Sequence, residues 1–404
     1  MTPQAPLRVL LFSTLYPSSA RPGNGIFVET RLRELLQEYG HALQAKVLAP
    51  VPWFPSRRER FGDYAAMART PRREQRNGLD VLHPRYFVLP KVGMLLAPWL
   101  LAATALRAAR SLRTEGFDFD LIDAPYFYPD GVAAAVVARA MGKPLVITAR
   151  GSDINLIARF RLPRRMMLWA ARQAAACIGV SQALVGAMRG MGMPEHNLRV
   201  IRNGVDMQRF RPVPQAQAQE TIGHCGQPLL LSVGNLVELK GHDLCIDALA
   251  LLRSAHPDAR LLIVGAGPLR QSLIVHAHKQ GVADRVHLVG AVANTDLLHW
   301  YSAADCLLLA SSREGWPNVL LESMACGTPA IATAVGGVPE VISSPAAGRV
   351  LRERTAAALA EAVRELLAQP PQDRDTVRHA SGFAWSQTSA AQFGLFESLV
   401  RPMG

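Results

Sequence analysis

Cysteine is scarce in this 404-residue sequence, and its five copies are scattered. They form no CxxC pair and no metal-ligand spacing, which excludes a disulfide framework and a structural zinc site. We therefore predict reduced, mostly buried thiols of a cytoplasmic protein at Cys177, Cys225, Cys245, Cys306 and Cys326.

Long apolar runs and nucleic-acid motifs are also missing. No run reaches the roughly 18–20 residues that span a bilayer. The segment 7–12 is too short for a signal-peptide core and predicts a first strand. Few aromatic residues are arranged for base stacking, so we expect no nucleic-acid partner.

Acidic residues are few in the first half of the chain. Residues 1–215 contain 30 Lys+Arg and 15 Asp+Glu, whereas the remainder contains 14 and 17. Basic clusters occur at 57–60, 69–76 and 159–165, and two of them have large apolar neighbours. The apolar stretch Val92–Ala109 lies between them. This pattern predicts contact with an anionic membrane surface. A core helix with solvated arginines is the alternative.

Short apolar runs alternate with helical patterns along the chain. This alternation predicts an α/β protein with two Rossmann-like, doubly wound domains. We place the first domain at residues 1–205, the second at 206–380 and a C-terminal helix, packing back towards the first domain, at 381–404. Asn203–Asp206 forms the joint, and the polar segment Met207–Gln227 has the composition of a linker.

The stretch from Ser311 to Pro329 carries the strongest functional signal. An apolar run that predicts a buried strand, Cys306–Ala310, precedes it, and Val319–Cys326 predicts a helix. Glu314 then lies in the loop after the strand and Glu322 in the first turns of the helix. The backbone N–H groups of Asn318, Val319 and Leu320 are expected to be unpaired at the helix start and to attract an anion. A nucleotide sugar has a matching layout, because a diphosphate separates its ribose diol from its sugar hydroxyls.

Five segments in this order resemble the family 4 retaining glycosyltransferases, which have the GT-B fold. The segments are Pro22–Val28, Thr148–Asp153, Asn203–Asp206, Val233–Gly241 and Glu314–Thr328. The resemblance implies two Rossmann-like domains that face each other across a cleft, with the nucleotide-sugar donor bound mainly by the second. A branch of the exopolysaccharide or teichuronic-acid type is one candidate.

The resemblance also implies roles for individual residues. Lys240 would compensate the charge of the leaving diphosphate, because the family works without a metal and without a cofactor. Glu322 would bind the ribose hydroxyls and Glu314 those of the donor sugar. The remaining predicted binding residues line the loops around them: Gly23, Gly25, Asp153, Asn235, Gly265, Gly267, Gly290, Gly315, Trp316, Asn318, Val319 and Leu320.

Two positions depart from the family pattern. Arg150 stands where many members have histidine, and Asn235 stands where many have arginine. Arginine cannot act as a base at physiological pH. We hypothesise that Arg150, in the first domain, supplies the charge that Asn235 does not bring. Asp118-Phe119-Asp120 resembles a metal-binding DxD motif but directly precedes a predicted strand, so we interpret it as a polar strand start.

The sequence therefore predicts a membrane-associated hexosyltransferase that is retaining and independent of metal. It would act at the inner face of the cell membrane, where it transfers a sugar from a nucleotide diphosphate sugar to a lipid-linked or oligosaccharide acceptor in polysaccharide biosynthesis. A GT-B nucleotide-sugar 2-epimerase and a non-catalytic nucleotide-sugar-binding protein are the alternatives.

Overall fold

The computed structural model describes residues 5–88 and 93–401. The chain divides into two compact units. Unit 1 combines Met1–Arg202 with Trp385–Gly404, and unit 2 is Asn203–Ala384. Each unit contains parallel strands that alternate with helices, which confirms the predicted α/β architecture.

Most strands of unit 1 lie where short apolar runs occur in the sequence, whereas β4 consists of charged and polar residues. Their bounds are β1 Leu7–Phe12, β2 Leu43–Leu48, β3 Val51–Pro52, β4 Arg73–Arg76, β5 Leu79–Leu82, β6 Arg85–Tyr86, β7 Leu121–Ala124, β8 Leu145–Ala149, β9 Ala176–Gly179 and β10 Leu198–Val200. Within the described residues, the main sheet has the order β10-β9-β8-β7-β1-β2-β5-β4, and β3 pairs with β6. The strand order reverses between β7 and β1, which is where α/β sheets bind ligands at the carboxyl ends of their strands.

Among the described residues, the first seven helices of the chain belong to unit 1. They are α1 Ile26–Tyr39, α2 Asp63–Arg69, α3 Gly93–Thr114, α4 Val132–Met141, α5 Ser152–Asn155, α6 Arg161–Gln173 and α7 Gln182–Gly190. The apolar stretch Val92–Ala109, for which a core helix was the alternative interpretation, falls largely in α3, although Val92 itself lies outside the described residues. In the described part of the chain, no helix is long and apolar enough to cross a membrane.

Unit 2 is a second parallel sheet with a continuous buried core. Its strands are β11 Leu229–Val233, β12 Arg260–Val264, β13 Val286–Gly290, β14 Cys306–Leu309, β15 Ala330–Thr333 and β16 Gly348–Leu351, in the order β13-β12-β11-β14-β15-β16. Its helices are α8 Gln215–Ile222, α9 His242–Leu252, α10 Arg270–Lys279, α11 Leu297–Ala303, α12 Asn318–Ala325, α13 Val338–Val341, α14 Ala356–Ala368 and α15 Asp373–Ser381. Here the order reverses between β11 and β14.

The last helix, α16 (Trp385–Val400), belongs to unit 1. Its Phe396 is fully buried in a core cluster with Leu7 of β1 and Leu35 of α1. Tyr39 stacks on Phe393, with their ring centroids 4.3 Å apart. The C-terminal segment is therefore an integral part of the core of unit 1.

The predicted linker is wrong in one part. Residues 215–222 form helix α8, whose Ala218 is buried and whose Gln215 and Gln219 side chains donate to the Ala303 carbonyl. The helix forms because it packs on α11, a contact that composition alone does not reveal. The cysteines are mostly buried, as predicted: all five are free, and only Cys225 is exposed among them.

Candidate active site

The loops at the carboxyl edge of the unit 2 sheet bring together the predicted glycines. The N–H of Gly234 donates to the Val264 carbonyl (2.9 Å), and the N–H of Gly265 donates to the Gly290 carbonyl (2.8 Å). Gly265 has φ +147°, and a Cβ there would lie 1.9 Å from the Gly234 carbonyl oxygen. Only glycine fits this contact, so the backbones of neighbouring loops approach each other closely.

Lys240 and Glu314 form an ion pair at the point where the strand order reverses. Lys240 ends a short 3-10 turn after β11, and Glu314 lies in the loop after β14. The Lys240 Nζ donates to Glu314 Oε1 at 2.6 Å, and Ser311 Oγ donates to the same oxygen at 2.7 Å. Within residues 5–88 and 93–401, no group donates to the second oxygen, Oε2. The pair therefore holds a cation in place and leaves one carboxylate oxygen for a ligand hydroxyl.

Glu322 extends from α12 towards the neighbouring helix α11. Its Oε2 accepts a hydrogen bond from the hydroxyl of fully buried Tyr301 at 2.8 Å. Burial raises the pKa of Glu322, while the Tyr301 hydrogen bond and the positive charge of Arg209 act in the opposite direction. Burial also raises the pKa of Tyr301 well above its ordinary value, so Tyr301 is the proton donor of the pair.

The start of α12 differs in one detail from the sequence prediction. The Leu320 N–H was expected to be unpaired, but it donates to the Pro317 carbonyl at 3.1 Å. The first turn of the helix is tight enough for this shorter bond. The N–H groups of Asn318 and Val319 have no acceptor in the described part of the chain, so two donors are left at the helix start instead of three. The Asn318 side chain accepts from Asn203 Nδ2 at 3.3 Å.

The Gly315–Trp316 segment fixes the loop between β14 and α12. The Gly315 carbonyl accepts from the Gly337 N–H at 3.2 Å. Trp316 is buried, and its ring lies 5.9 Å from that of Phe383. Trp316 thus stabilises the loop from inside unit 2. By contrast, the Asn235 side chain is exposed after β11.

In unit 1, the buried Asp153 stabilises the loop after β8 through hydrogen bonds. Its two carboxylate oxygens accept from the backbone N–H groups of Phe127, Arg150, Gly151 and Ile154 at 2.9–3.1 Å. Burial raises the pKa of Asp153, and these four N–H donors act against the rise. With no exposed surface, Asp153 is better suited to shaping the loop than to contacting a substrate.

Arg150 lies at the carboxyl edge of the unit 1 sheet, beside the start of α1. Its Nε donates to the Pro125 carbonyl at 3.2 Å, and its Cζ lies 5.2 Å from the Phe27 ring centroid. Burial lowers the pKa of Arg150 to about 10. The guanidinium is still charged at neutral pH, so a fixed cation stands at this position.

The glycine loop between β1 and α1 has one constrained and one open position. Gly25 has φ +66°, and a Cβ there would lie 2.3 Å from the Leu15 carbonyl oxygen, whereas a Cβ at Gly23 would meet nothing within 4 Å. Asp130 holds the start of the loop, since it accepts from Ser13 Oγ (3.0 Å) and from the Thr14 N–H (2.7 Å).

Sequence reasoning missed several residues of the site. Three of them form hydrogen bonds with residues or loops that were predicted to be functional: Tyr301, Ser311 and Asp130. Tyr301 lies in a largely apolar helix and Asp130 at the start of a helix, so neither position had a functional signal. The Arg209 side chain donates to Asn294 Oδ1 at 2.7 Å and acts electrostatically on Glu322. Arg209 lies three positions after Asp206, the last residue of the Asn203–Asp206 motif, and this proximity is a signal that could have identified it.

The two mostly parallel sheets, each with its strand order reversed at the centre, have the architecture of the GT-B class of glycosyltransferases. The described backbone has a TM-score of 0.80 to sucrose-phosphate synthase from Thermosynechococcus elongatus, with 20% identity over 98% of this chain and 99% of that one. It has a TM-score of 0.71 to Anabaena HepE in complex with UDP-glucose, with 20% identity over 97% and 99%.

Sequence comparison identifies the family. Residues 28–209 match the model described as Glycosyltransferase Family 4, and residues 216–382 match Glycosyl transferases group 1. The chain is 28% identical over 363 residues to TuaC of Bacillus subtilis (strain 168), which is named as a teichuronic acid biosynthesis glycosyltransferase; the match covers 88% of each. The chain belongs to the family 4 glycosyltransferases, as predicted.

Proposed function

We propose that the protein is a retaining, metal-independent hexosyltransferase that uses a nucleotide diphosphate sugar and builds a polysaccharide on a lipid-linked acceptor. One observation carries the proposal: Lys240–Glu314 and Tyr301–Glu322 are two polar pairs whose glutamates lie eight positions apart, before and after the start of α12. A nucleotide sugar needs this order of groups, because its diphosphate lies between two sets of hydroxyls.

Each part of the donor has a partner of suitable chemistry. The Glu322 carboxylate would accept hydrogen bonds from the ribose diol, and Glu314 Oε2 from hydroxyls of the sugar. The diphosphate oxygens would accept hydrogen bonds from the Asn318 and Val319 N–H groups and from the Lys240 ammonium. Complexes of HepE with UDP-glucose support a donor of this class, since the two backbones share one fold.

The chemical step then needs charge compensation more than a nucleophile. As the bond between the anomeric carbon and the phosphate oxygen breaks, negative charge develops on the nucleoside diphosphate, and Lys240 and the α12 start stabilise it. Arg150 is proposed as a second cation that replaces the charge absent at Asn235. The acceptor oxygen attacks from the side of departure, and its proton passes to the leaving phosphate. This order of events retains configuration without a glycosyl–enzyme intermediate.

The membrane part of the proposal rests on an aromatic and basic surface of unit 1. Trp53 and Phe87 are 49% and 63% exposed, with ring centroids 5.4 Å apart. Nearby, the Arg60 guanidinium lies 4.9 Å from the Phe61 ring centroid, and Tyr64 is also exposed. Exposed aromatic rings beside arginines favour the interface of an anionic bilayer, where rings enter the headgroup region and cations meet phosphates.

Mass spectrometry of incubations with UDP- and GDP-sugars, with and without a membrane extract, tests the activity. We expect a glycosylated lipid as the product. Its new glycosidic bond should keep the anomeric configuration of the donor sugar. The rate of turnover should not change when EDTA is added. An epimerised nucleotide sugar would instead identify a 2-epimerase, and binding without any product would identify a non-catalytic protein. Either result refutes the proposal.

A second experiment tests the binding orientation. We expect the wild type to bind UDP at least about tenfold more tightly than 2′,3′-dideoxy-UDP. One hydrogen bond to a charged group contributes an affinity difference of about this size. Glu322→Gln should remove most of this difference, whereas the exposed control Glu361→Gln should retain it. An unchanged preference in Glu322→Gln contradicts the assignment of the ribose to Glu322.

Sedimentation with vesicles tests the membrane surface. Trp53→Ser combined with Phe87→Ser should weaken binding to vesicles that contain phosphatidylglycerol. Leu251→Ser, which removes a comparably exposed apolar side chain (47%) from unit 2, should not. Equal vesicle binding by the wild type, the double variant and Leu251→Ser would contradict membrane contact through this surface.

A further inference from the structure

A buried charged cluster in unit 1 is not used by the proposed mechanism. Asp123 of β7 and Arg31 of α1 are 4% exposed, and Gln392 of α16 is 3% exposed. Arg31 Nε donates to Gln392 Oε1 at 2.6 Å, and Gln392 Nε2 donates to Asp123 Oδ2 at 3.3 Å. Arg31 also donates to the Ile201 carbonyl at 3.3 Å. A carboxylate and a guanidinium are thus held in the interior by a glutamine from the C-terminal helix.

The cluster lies beside the loop that carries Arg150. Strands β7 and β8 are neighbours, with Asp123 opposite Val146, and Arg150 directly follows β8. The Asp123 charge attracts both guanidiniums, while Arg31 repels Arg150. The second carboxylate oxygen of Asp123 is buried and accepts no hydrogen bond from the residues that the structure describes. Its negative charge therefore acts mainly through space on the two arginines.

The Asp123 charge affects where the Arg150 side chain lies. Two guanidiniums in a region of low dielectric repel each other strongly unless an anion lies near both. Asp123 is that anion, and Gln392 fixes the orientation of its carboxylate. If its charge were removed, repulsion from Arg31 would push Arg150 away from its position beside Phe27 and the Pro125 carbonyl.

We propose that Asp123 is a positioning residue for Arg150, and that Gln392 makes the C-terminal helix part of the same arrangement. This inference rests on the proposed function, in which Arg150 supplies positive charge to the reaction. Asp123 itself does not touch substrate, because it is buried.

A double-mutant cycle tests the proposal. Asp123→Asn has the same shape, keeps an acceptor for Gln392 and removes only the charge. We would measure kcat and KM for nucleotide release from UDP-glucose and GDP-mannose, using the faster donor, in the wild type, Asp123→Asn, Arg150→Ala and the double variant. The melting temperature of each variant is measured alongside, and the exposed Asp118→Asn is the control.

We expect Asp123→Asn to lower kcat/KM about tenfold when Arg150 is present and less than about threefold when Arg150 is alanine. Asp123→Glu should recover part of the loss, since it restores the charge. If Asp123→Asn does not fold, Gln392→Met replaces it in the same cycle, with the same expected dependence on Arg150.

Each contrary result has a distinct meaning. An equal loss of kcat/KM in both backgrounds would show that Asp123 is only structural and would overturn the proposal. Unchanged turnover in Arg150→Ala, with an active wild type, would also overturn it while the transferase activity stands. If the wild type releases no nucleotide from any sugar donor, with or without membrane extract, the proposed function fails and this inference fails with it.

Discussion

Replacing Tyr301 by phenylalanine removes one hydroxyl and leaves a buried ring of nearly the same volume. That hydroxyl donates to Glu322 Oε2 at 2.8 Å. A hydrogen bond to a charged group contributes about 1.5–3 kcal/mol, so the free energy of unfolding should fall by about this amount. For a domain of this size, the melting temperature should decrease by about 3–10 °C.

The effect on ligand binding follows from the pKa of Glu322. Burial already raises this pKa, and the Tyr301 hydrogen bond opposes the rise, so Tyr301→Phe should raise it further. A proton bound more tightly in the folded state stabilises the protein at acid pH, and this stabilisation disappears as the pH rises past the folded-state pKa. The proposed binding of ribose by Glu322 should have the opposite dependence on pH, because the ionised carboxylate accepts hydrogen bonds from both ribose hydroxyls.

Calorimetric titration of UDP between pH 5 and 8 provides the assay. We expect the acid limb of UDP affinity to move to higher pH in Tyr301→Phe, with about tenfold weaker binding at neutral pH. Tyr16→Phe is the matched control, since the Tyr16 hydroxyl is buried without a hydrogen-bond partner in the described residues. If Tyr301→Phe loses stability while both the affinity and its pH dependence are unchanged, the reasoning about Glu322 is wrong.

Three further predictions concern charge and backbone. Lys240→Met should lower kcat for nucleotide release by about 100-fold or more, because in the proposed mechanism Lys240 stabilises the leaving group; a wild-type kcat in steady-state kinetics would contradict this role. Arg150→Ala should lower kcat clearly more than the exposed control Arg172→Ala does. Equal decreases in kcat would contradict the hypothesis that Arg150 supplies the charge absent at Asn235. Gly25→Ala should cost about 1–3 kcal/mol by thermal unfolding, since a Cβ there meets a backbone carbonyl at 2.3 Å, whereas Gly23→Ala should be nearly neutral.

Much of the fold could be predicted because its signals are local. A buried parallel strand is a short apolar run, so the strands predicted at residues 7–12 and Cys306–Ala310 correspond to β1 and β14, the second with a difference of one residue. The strand β4, Arg73–Arg76, was missed because its residues are charged or polar and it pairs antiparallel with β5. Helix α8 was missed because its stability comes from packing on α11 and hardly from its own composition.

The sequence by itself determined the α/β class, the family, the positions of Lys240 and Glu314 in loops that follow strands, and the position of Glu322 in a helix. These follow from residues close together in the chain. Only the tertiary structure decided that Tyr301 donates to Glu322 and that Gln392 binds Asp123, which is 269 positions away. Such pairs depend on which helices pack together, because a hydrogen bond requires its two atoms to meet within about 3 Å and no local pattern encodes that meeting.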